Sequence, residues 1–244
     1  MRFAATATIL AGLFATTACN AGSTSAKASG HQETRSFAAA GFDQVELAGS
    51  DNVIVKVGGK ESVTATGDSA VLDRLEIEVR GGKLHVGRKR NSGWIDLGGG
   101  RHGNAVVTVT LPRINGAAVA GSGNLSVDRA SADAFAAAVA GSGNLSLASL
   151  QTRSASFDVA GSGNITVGGS AASVSVSIAG SGDVDARALK SDQAKIKVAG
   201  SGNVKAGVDG AASVSIMGSG DVDILGSAKC SVTKMGSGSV RCGG

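Results

Sequence analysis

The sequence predicts an all-β protein of repeated design: a β-solenoid with about 20 residues per coil and a Gly-Ser-Gly turn in each coil. Three observations lead there. The first is the spacing of the Gly-Ser-Gly triplets. They begin at Gly121, Gly141, Gly161, Gly180, Gly200, Gly218 and Gly236, at intervals of 20, 20, 19, 20, 18 and 18 residues. The second is a largely regular alternation on both flanks. Apolar residues sit four and two positions before the first glycine, as in Phe157 and Val159 or Ile196 and Val198. They sit four and six positions after it, as in Leu145 and Leu147 or Ile165 and Val167, with Ser, Thr, Lys, Asp and Asn between. A period of two describes strands with one buried face. The third is composition: 38 glycines, one proline (Pro112) and no tyrosine, in 244 residues. That suits many turns and closely packed small side chains, and disfavours proline-rich or highly charged disorder.

The alternation alone admits two stackings. Each unit is a hairpin of an antiparallel meander, or one coil with two parallel sheets facing across a thin core. Near-identity of successive units favours coils, because stacking then places like on like. Ser122, Ser142, Ser162 and their successors form one column, and Asn124, Asn144, Asn164, Asp183, Asn203 and Asp221 another. At the turn, glycine supplies positive φ and close backbone approach. The predicted structural turn residues are Gly121, Ser122 and Gly123 and, in later coils, Gly141, Gly161, Gly180, Gly200, Gly218 and Gly236. The Ser and Asn/Asp side chains are expected to satisfy backbone groups freed there.

The chain divides in order. Residues 1–18 read as a signal peptide: Arg2, an apolar run too short to span a bilayer, then small residues before Cys19. The "TTAC" at 16–19 resembles a bacterial lipobox, in which Cys19 carries lipid; ordinary cleavage is the alternative. Asn20 after it is compatible with outer-membrane sorting. Residues 19–35 then form the anchor cysteine and a flexible tether. Residues 36–112 read as a β region capping the solenoid, with strands near 43–57, 61–66, 75–80, 83–88 and 105–111, one helical turn near 69–74, and an irregular loop at 89–104 holding Trp94. "ELAGSDNVIV" resembles an outlying copy of the repeat. Residues 113–244 are the Gly-Ser-Gly solenoid. In its last coil Lys234 takes a normally apolar position, which requires that coil to open to water. Cys230 and Cys242 take core-facing positions and are either disulfide-bonded, in a coil that tapers, or two buried thiols.

Chemistry is sparse. The net charge of +4 is dispersed, and scarce aromatics argue against nucleic acid as a partner. His31, His85 and His102 all lie outside the repeats, so no Ser-His-Asp arrangement is supported. "GWIDLGGG" lacks the Lys-Ser/Thr of a phosphate loop. Asp183 and Asp185 share a strand face with Asp221 and Asp223, but Asn203 and Lys205 lie between, and the lysine neutralises the patch rather than building a calcium site. No catalytic residue, metal site or cofactor is predicted.

The stretches "FAAAGFDQVELAGSDNVIV", "AVLDRLEIEVRGGKLHVG" and "VTVTLPRI", with the glycine ladder ending "GSGDVDILGSAKCSVTKMGSGSVRC", resemble the head GIN domain family of auto-transporter adhesins over residues 36–242. The resemblance implies a right-handed parallel β-helix with two facing sheets, distantly like pectin lyases, a cell-envelope location and a role in adhesion. It brings no catalytic residues. The expectation is a non-enzymatic envelope lipoprotein, held to the membrane only by its lipid anchor, that binds a polysaccharide or protein partner. A carbohydrate-active enzyme centred on Asp183, Asp185 and Lys205, and a periplasmic structural or envelope-stress accessory protein, are the alternatives.

Overall fold

The computed structural model describes residues 31–89 and 103–243. Cys19, with the signal peptide and most of the tether, lies outside the described residues, as do Trp94, His102 and most of the 89–104 loop. The strands are β1 (Gln32–Phe37), β2 (Gln44–Gly49), β3 (Asn52–Val57), β4 (Ser62–Asp68), β5 (Leu75–Arg80), β6 (Lys83–Arg88), β7 (Val106–Leu111), β8 (Gly116–Gly121), β9 (Asn124–Val127), β10 (Ala130–Gly141), β11 (Asn144–Gly161), β12 (Asn164–Gly180), β13 (Val184–Gly200), β14 (Val204–Gly218), β15 (Val222–Leu225), β16 (Lys229–Met235) and β17 (Val240–Cys242). One short helix, α1 (Ser69–Leu72), follows β4.

The coils are parallel, not a meander. Gly121 pairs with Gly141, Gly141 with Gly161, Gly161 with Gly180 and Gly180 with Gly200. Successive strand pairs therefore stack like on like, and the buried rows run the length of the stack. Leu125, Leu145, Ile165, Val184, Val204 and Val222 form one such row on the flank after the turn. Val119, Val139, Val159, Ile178, Val198 and Ile216 face them from the flank before it.

The two flanks belong to one wrapped sheet. A short third side joins them: Ala130–Ala132 pairs with Leu150–Thr152, which pairs with Gly169–Ala171. The alternation breaks on either side of it, so periodicity alone leaves this segment as an undefined second turn. This side also explains the unequal repeat lengths. Between the inward residue six after the turn glycine and the short side, β11 skips from Leu147 to Leu150 where β12 moves from Val167 to Gly169. Likewise Ala186 to Lys190 in β13 matches Ala206 to Gly207 in β14. Residues are lost where the sheet bends, and the flanks keep their register.

The N-terminal region is more than a cap. β2 and β3 form a coil whose turn, Gly49–Asp51, stacks under the first Gly-Ser-Gly turn. On its other side lie β6 and β7, also parallel. Spatial order therefore differs from chain order: β2–β3 is held between β6–β7 and β8–β9. The end is then closed by antiparallel strands, β5 on β6 and β4 on β7, and by α1, which buries Val71 and Leu72. Asp68 caps α1 by accepting from Ala70 N at 3.0 Å. β1 adds one further antiparallel strand, on β4. It begins inside the range assigned to the tether. Its polar "QETRS" shows no alternation because the strand is an exposed edge, held by backbone pairing and contacts such as Thr34 to Thr66 at 2.9 Å.

The other end is open, as Lys234 requires. Val232, Lys234 and Met235 are exposed in β16, although their neighbours Val214 and Ile216 are buried. Cys230 and Cys242 are joined in a disulfide with Cα atoms 6.4 Å apart. Cys230 is half-buried against the core and Cys242 is exposed, so only the first is shielded as its position implies. The bond spans the place where the third side of the next coil would lie. Cys242→Ser is expected to destabilise the last coil by about 2–3 kcal/mol through the freed loop. Faster hydrogen exchange confined to β16 and β17 is the expected reading.

Candidate functional site

The turn column is built from main chain. From Gly121 to Gly200 each first-glycine carbonyl accepts two N–H groups from the coil above: Gly121 O accepts from Ser142 N and Gly143 N, both at 2.9 Å, and Gly141 O from Ser162 N and Gly163 N, both at 2.9 Å. The serine hydroxyls make no hydrogen bond among the described residues and face solvent. The expected serine contribution to the turn is thus absent.

The Asn/Asp column does carry hydrogen bonds. Asn124 Nδ2 donates to Asn52 Oδ1 at 3.0 Å, Asn144 to Asn124 at 2.9 Å and Asn164 to Asn144 at 2.9 Å. Further along, Asn203 donates its main-chain N–H and Nδ2 to Asp183 Oδ1 at 2.8 and 2.9 Å, and Ser239 donates N–H and Oγ to Asp221 Oδ1 at 2.8 and 2.6 Å. The Ser239 hydroxyl holds the Asp221 carboxyl below the usual carboxylate range.

Beside this ladder, five residues after each turn glycine, runs a second outward column: Ser126, Ser146, Thr166, Asp185, Lys205, Asp223 and Arg241. Its last four members alternate in sign. Alternation along strands about 4.8 Å apart lets each charge offset its neighbours. Asp185 also accepts from Arg187 Nε at 2.8 Å and Nη2 at 2.6 Å, and this guanidinium lowers its pKa below the ordinary range.

The two columns line a shallow groove of about 730 Å³ that runs along the stack from Asn144 to Arg241. Amide, hydroxyl and charged side chains line it, with Leu145, Ile165, Val184 and Val204 beneath them. Asp183, Asp185, Asp221, Asp223 and Lys205 meet here, as their spacing requires. Arg187 and Arg241 complete the charge pattern and are absent from the sequence reading. Aligning every unit on its turn glycine exposes Arg241 as the terminal member of the column. Nothing in the sequence shows that Arg187 folds back onto Asp185 rather than away from it.

Among the described residues, no group of three or more His, Cys, Asp or Glu side chains is placed to hold a metal ion. His85 lies on the other flank, 3.9 Å from Glu46. Among the described residues no helix is long and apolar enough to cross a membrane.

A second feature stands at the base of the turn column. Asp51 takes the place of the second glycine and is fully buried. It accepts from Arg88 Nη2 at 2.6 Å and Nε at 2.9 Å, and from Ala105 N at 2.8 Å, while Arg88 donates to Gly103 O at 2.7 Å. The adjacent coil, β6–β7, has no Gly-Ser-Gly turn, so the guanidinium fills the end of the column and its network is satisfied.

The fold and the groove define a class: a β-solenoid that presents repeated polar rows to solvent. A family model described as "Putative auto-transporter adhesin, head GIN domain" matches residues 41–228, and the chain belongs to that family. Similar solved structures include a "putative adhesin" from Bacteroides fragilis NCTC 9343, at 19% identity and TM-score 0.78 over 87% of this chain and 97% of that one. A "putative lipid binding protein" from Parabacteroides distasonis ATCC 8503 is 24% identical with TM-score 0.70, again over 87% and 97%. A "putative adhesin" from the same strain is 22% identical with TM-score 0.67 over the same shares. At these identities the likeness establishes the fold. No curated protein matches the chain.

Proposed function

We propose that the protein is a non-enzymatic, exported cell-envelope adhesin that binds a neutral or weakly charged polysaccharide along its side groove. One observation carries this: a long open groove lined by an amide ladder and a self-neutralising charge column. Amides and hydroxyls in register suit the repeated hydroxyls of a sugar chain. The groove's four carboxylates outnumber Lys205, Arg187 and Arg241, so its field disfavours a strongly anionic polymer. Each groove carboxylate has cationic or hydrogen-bonding neighbours, which fits recognition better than acid–base turnover. Adhesion by the family and the signal-like first 18 residues both favour the cell surface.

The test is retention of the purified full-length chain on immobilised neutral and acidic polysaccharides, with simultaneous assay for shortened or unsaturated products. Retention on neutral polymer without product is the expected result. Product release, or retention on none of them, overturns the proposal. For the anchor, Cys19→Ser is expected to move the protein from the membrane fraction to the soluble fraction; unchanged membrane retention contradicts lipidation at that residue.

A further inference from the structure

We propose that the open C-terminal end of the solenoid is a docking edge for an extended strand of another protein, one that carries a carboxylate to face Lys234 and an apolar side chain to face Val232. The two ends of the stack are built differently. At the N-terminal end β5, β4, β1 and α1 cover the last coil, and Val71, Leu72 and Leu75 seal the core. At the C-terminal end the core row stops uncovered. Val214 and Ile216 are buried beneath Val232 and Lys234 of β16, but Val232 itself is 46% exposed and Lys234 is exposed. No strand among the described residues pairs with the outer edges of β16 and β17. Next to them Met217 and Met235, paired across the two strands, are 61% and 66% exposed. They form a soft apolar rim able to adapt to a guest side chain. An unpaired edge with an apolar row beside it is the arrangement on which a guest strand adds by main-chain hydrogen bonds.

Charge selects the guest. Lys234 points along the core row and forms no salt bridge among the described residues, and neither does Lys229. An inward-pointing lysine on an edge strand blocks a purely apolar strand. It also disfavours a second copy of this chain, which brings its own Lys229 and Lys234 to the same seam. A strand with a carboxylate at that position removes the penalty and covers Val232. The edge is pinned by the Cys230–Cys242 disulfide, so little ordering is lost when a guest binds. This site centres on β16 at the end of the stack, and the side groove reaches that end only at Arg241 of β17.

The test uses the full-length chain and two synthetic peptides. One carries valine and glutamate as successive residues on the same strand face, with threonines between. The other has lysine in place of glutamate. Binding is read by fluorescence anisotropy and by hydrogen exchange of the β16 amides. The acidic peptide is expected to bind and to protect β16, and the basic one to bind at least about tenfold more weakly. Lys234→Glu, a change at an exposed side chain, is expected to reverse that preference. Absence of binding by the acidic peptide, equal binding of both peptides, protection elsewhere than β16, or no reversal in Lys234→Glu overturns the proposal. So does concentration-dependent self-association that protects β16, which assigns the edge to a second copy.

Discussion

Gly161→Ala is expected to destabilise the protein by about 4 kcal/mol or more, whereas Ser162→Ala beside it changes stability by no more than about 0.5 kcal/mol. Gly161 has φ of +125°, which L side chains rarely adopt, and a Cβ there collides with the carbonyl oxygen of Gly141. At Gly121 and Gly141 the same Cβ comes to 2.5 Å of the glycine carbonyl one coil below. That carbonyl is the acceptor for two N–H groups, so it cannot move aside without losing both bonds. The column must then open between two central coils. A solenoid's stability is a sum of neighbour-to-neighbour interfaces, so damage in the middle separates two halves. Thermal unfolding followed by circular dichroism is expected to show a large fall in midpoint, or two transitions, for Gly161→Ala. Ser162→Ala is expected to overlay the parent. A small effect at Gly161 would mean that the turn carbonyls are not stacked as described.

Asp51→Ala is the second large effect. It leaves Arg88 half-enclosed with its carboxylate gone, and the Ala105 N–H without its acceptor. Removing one partner of a buried pair costs about 3–5 kcal/mol. The Arg88 side chain is 24% exposed, so the lower figure, about 3 kcal/mol, applies. A fall in melting temperature of roughly 6–12 °C follows for a chain of this size. Asp51→Asn keeps one acceptor oxygen for Ala105 N and is expected to recover part of the loss. Hydrogen exchange should accelerate first in β3, β6 and β7, the strands this network joins. An unchanged melting temperature would show that Arg88 finds equivalent partners in water.

The coil is legible from the sequence because its marker repeats. Glycine at one turn position can be spaced along the chain, and the Asn/Asp column follows three residues on. The parallel arrangement follows only because like residues recur, and the pairing of Gly121 with Gly141 settles it. The third side is not legible. Its inward residues are Ala130, Leu150, Leu189 and Val208, different in size and shifted in position, and no alternation spans a corner. The spatial order of the first coils is hidden for a related reason. β6–β7 carries no Gly-Ser-Gly, and only its pairing with β2 and β3 places it below them. In "ELAGSDNVIV", the outlying copy of the repeat, Asp51 stands where the second glycine is expected. It is the residue that ends the glycine column, and its role depends on Arg88, which lies far from it in sequence. In the groove, Asp185, Lys205 and Asp223 were visible as a face, but the fold of Arg187 onto Asp185 is a side-chain choice that spacing does not encode.

Recognition along the side groove predicts a defined footprint on the coils. The most direct measurement is hydrogen exchange of the full-length chain with and without a retained polysaccharide, resolved to short peptides. Slowed exchange is expected over 144–146, 164–166, 183–185, 203–205 and 221–223, one stripe crossing successive coils, with the opposite flank unchanged. Protection confined to the turn edge, the opposite flank or the C-terminal end would contradict it.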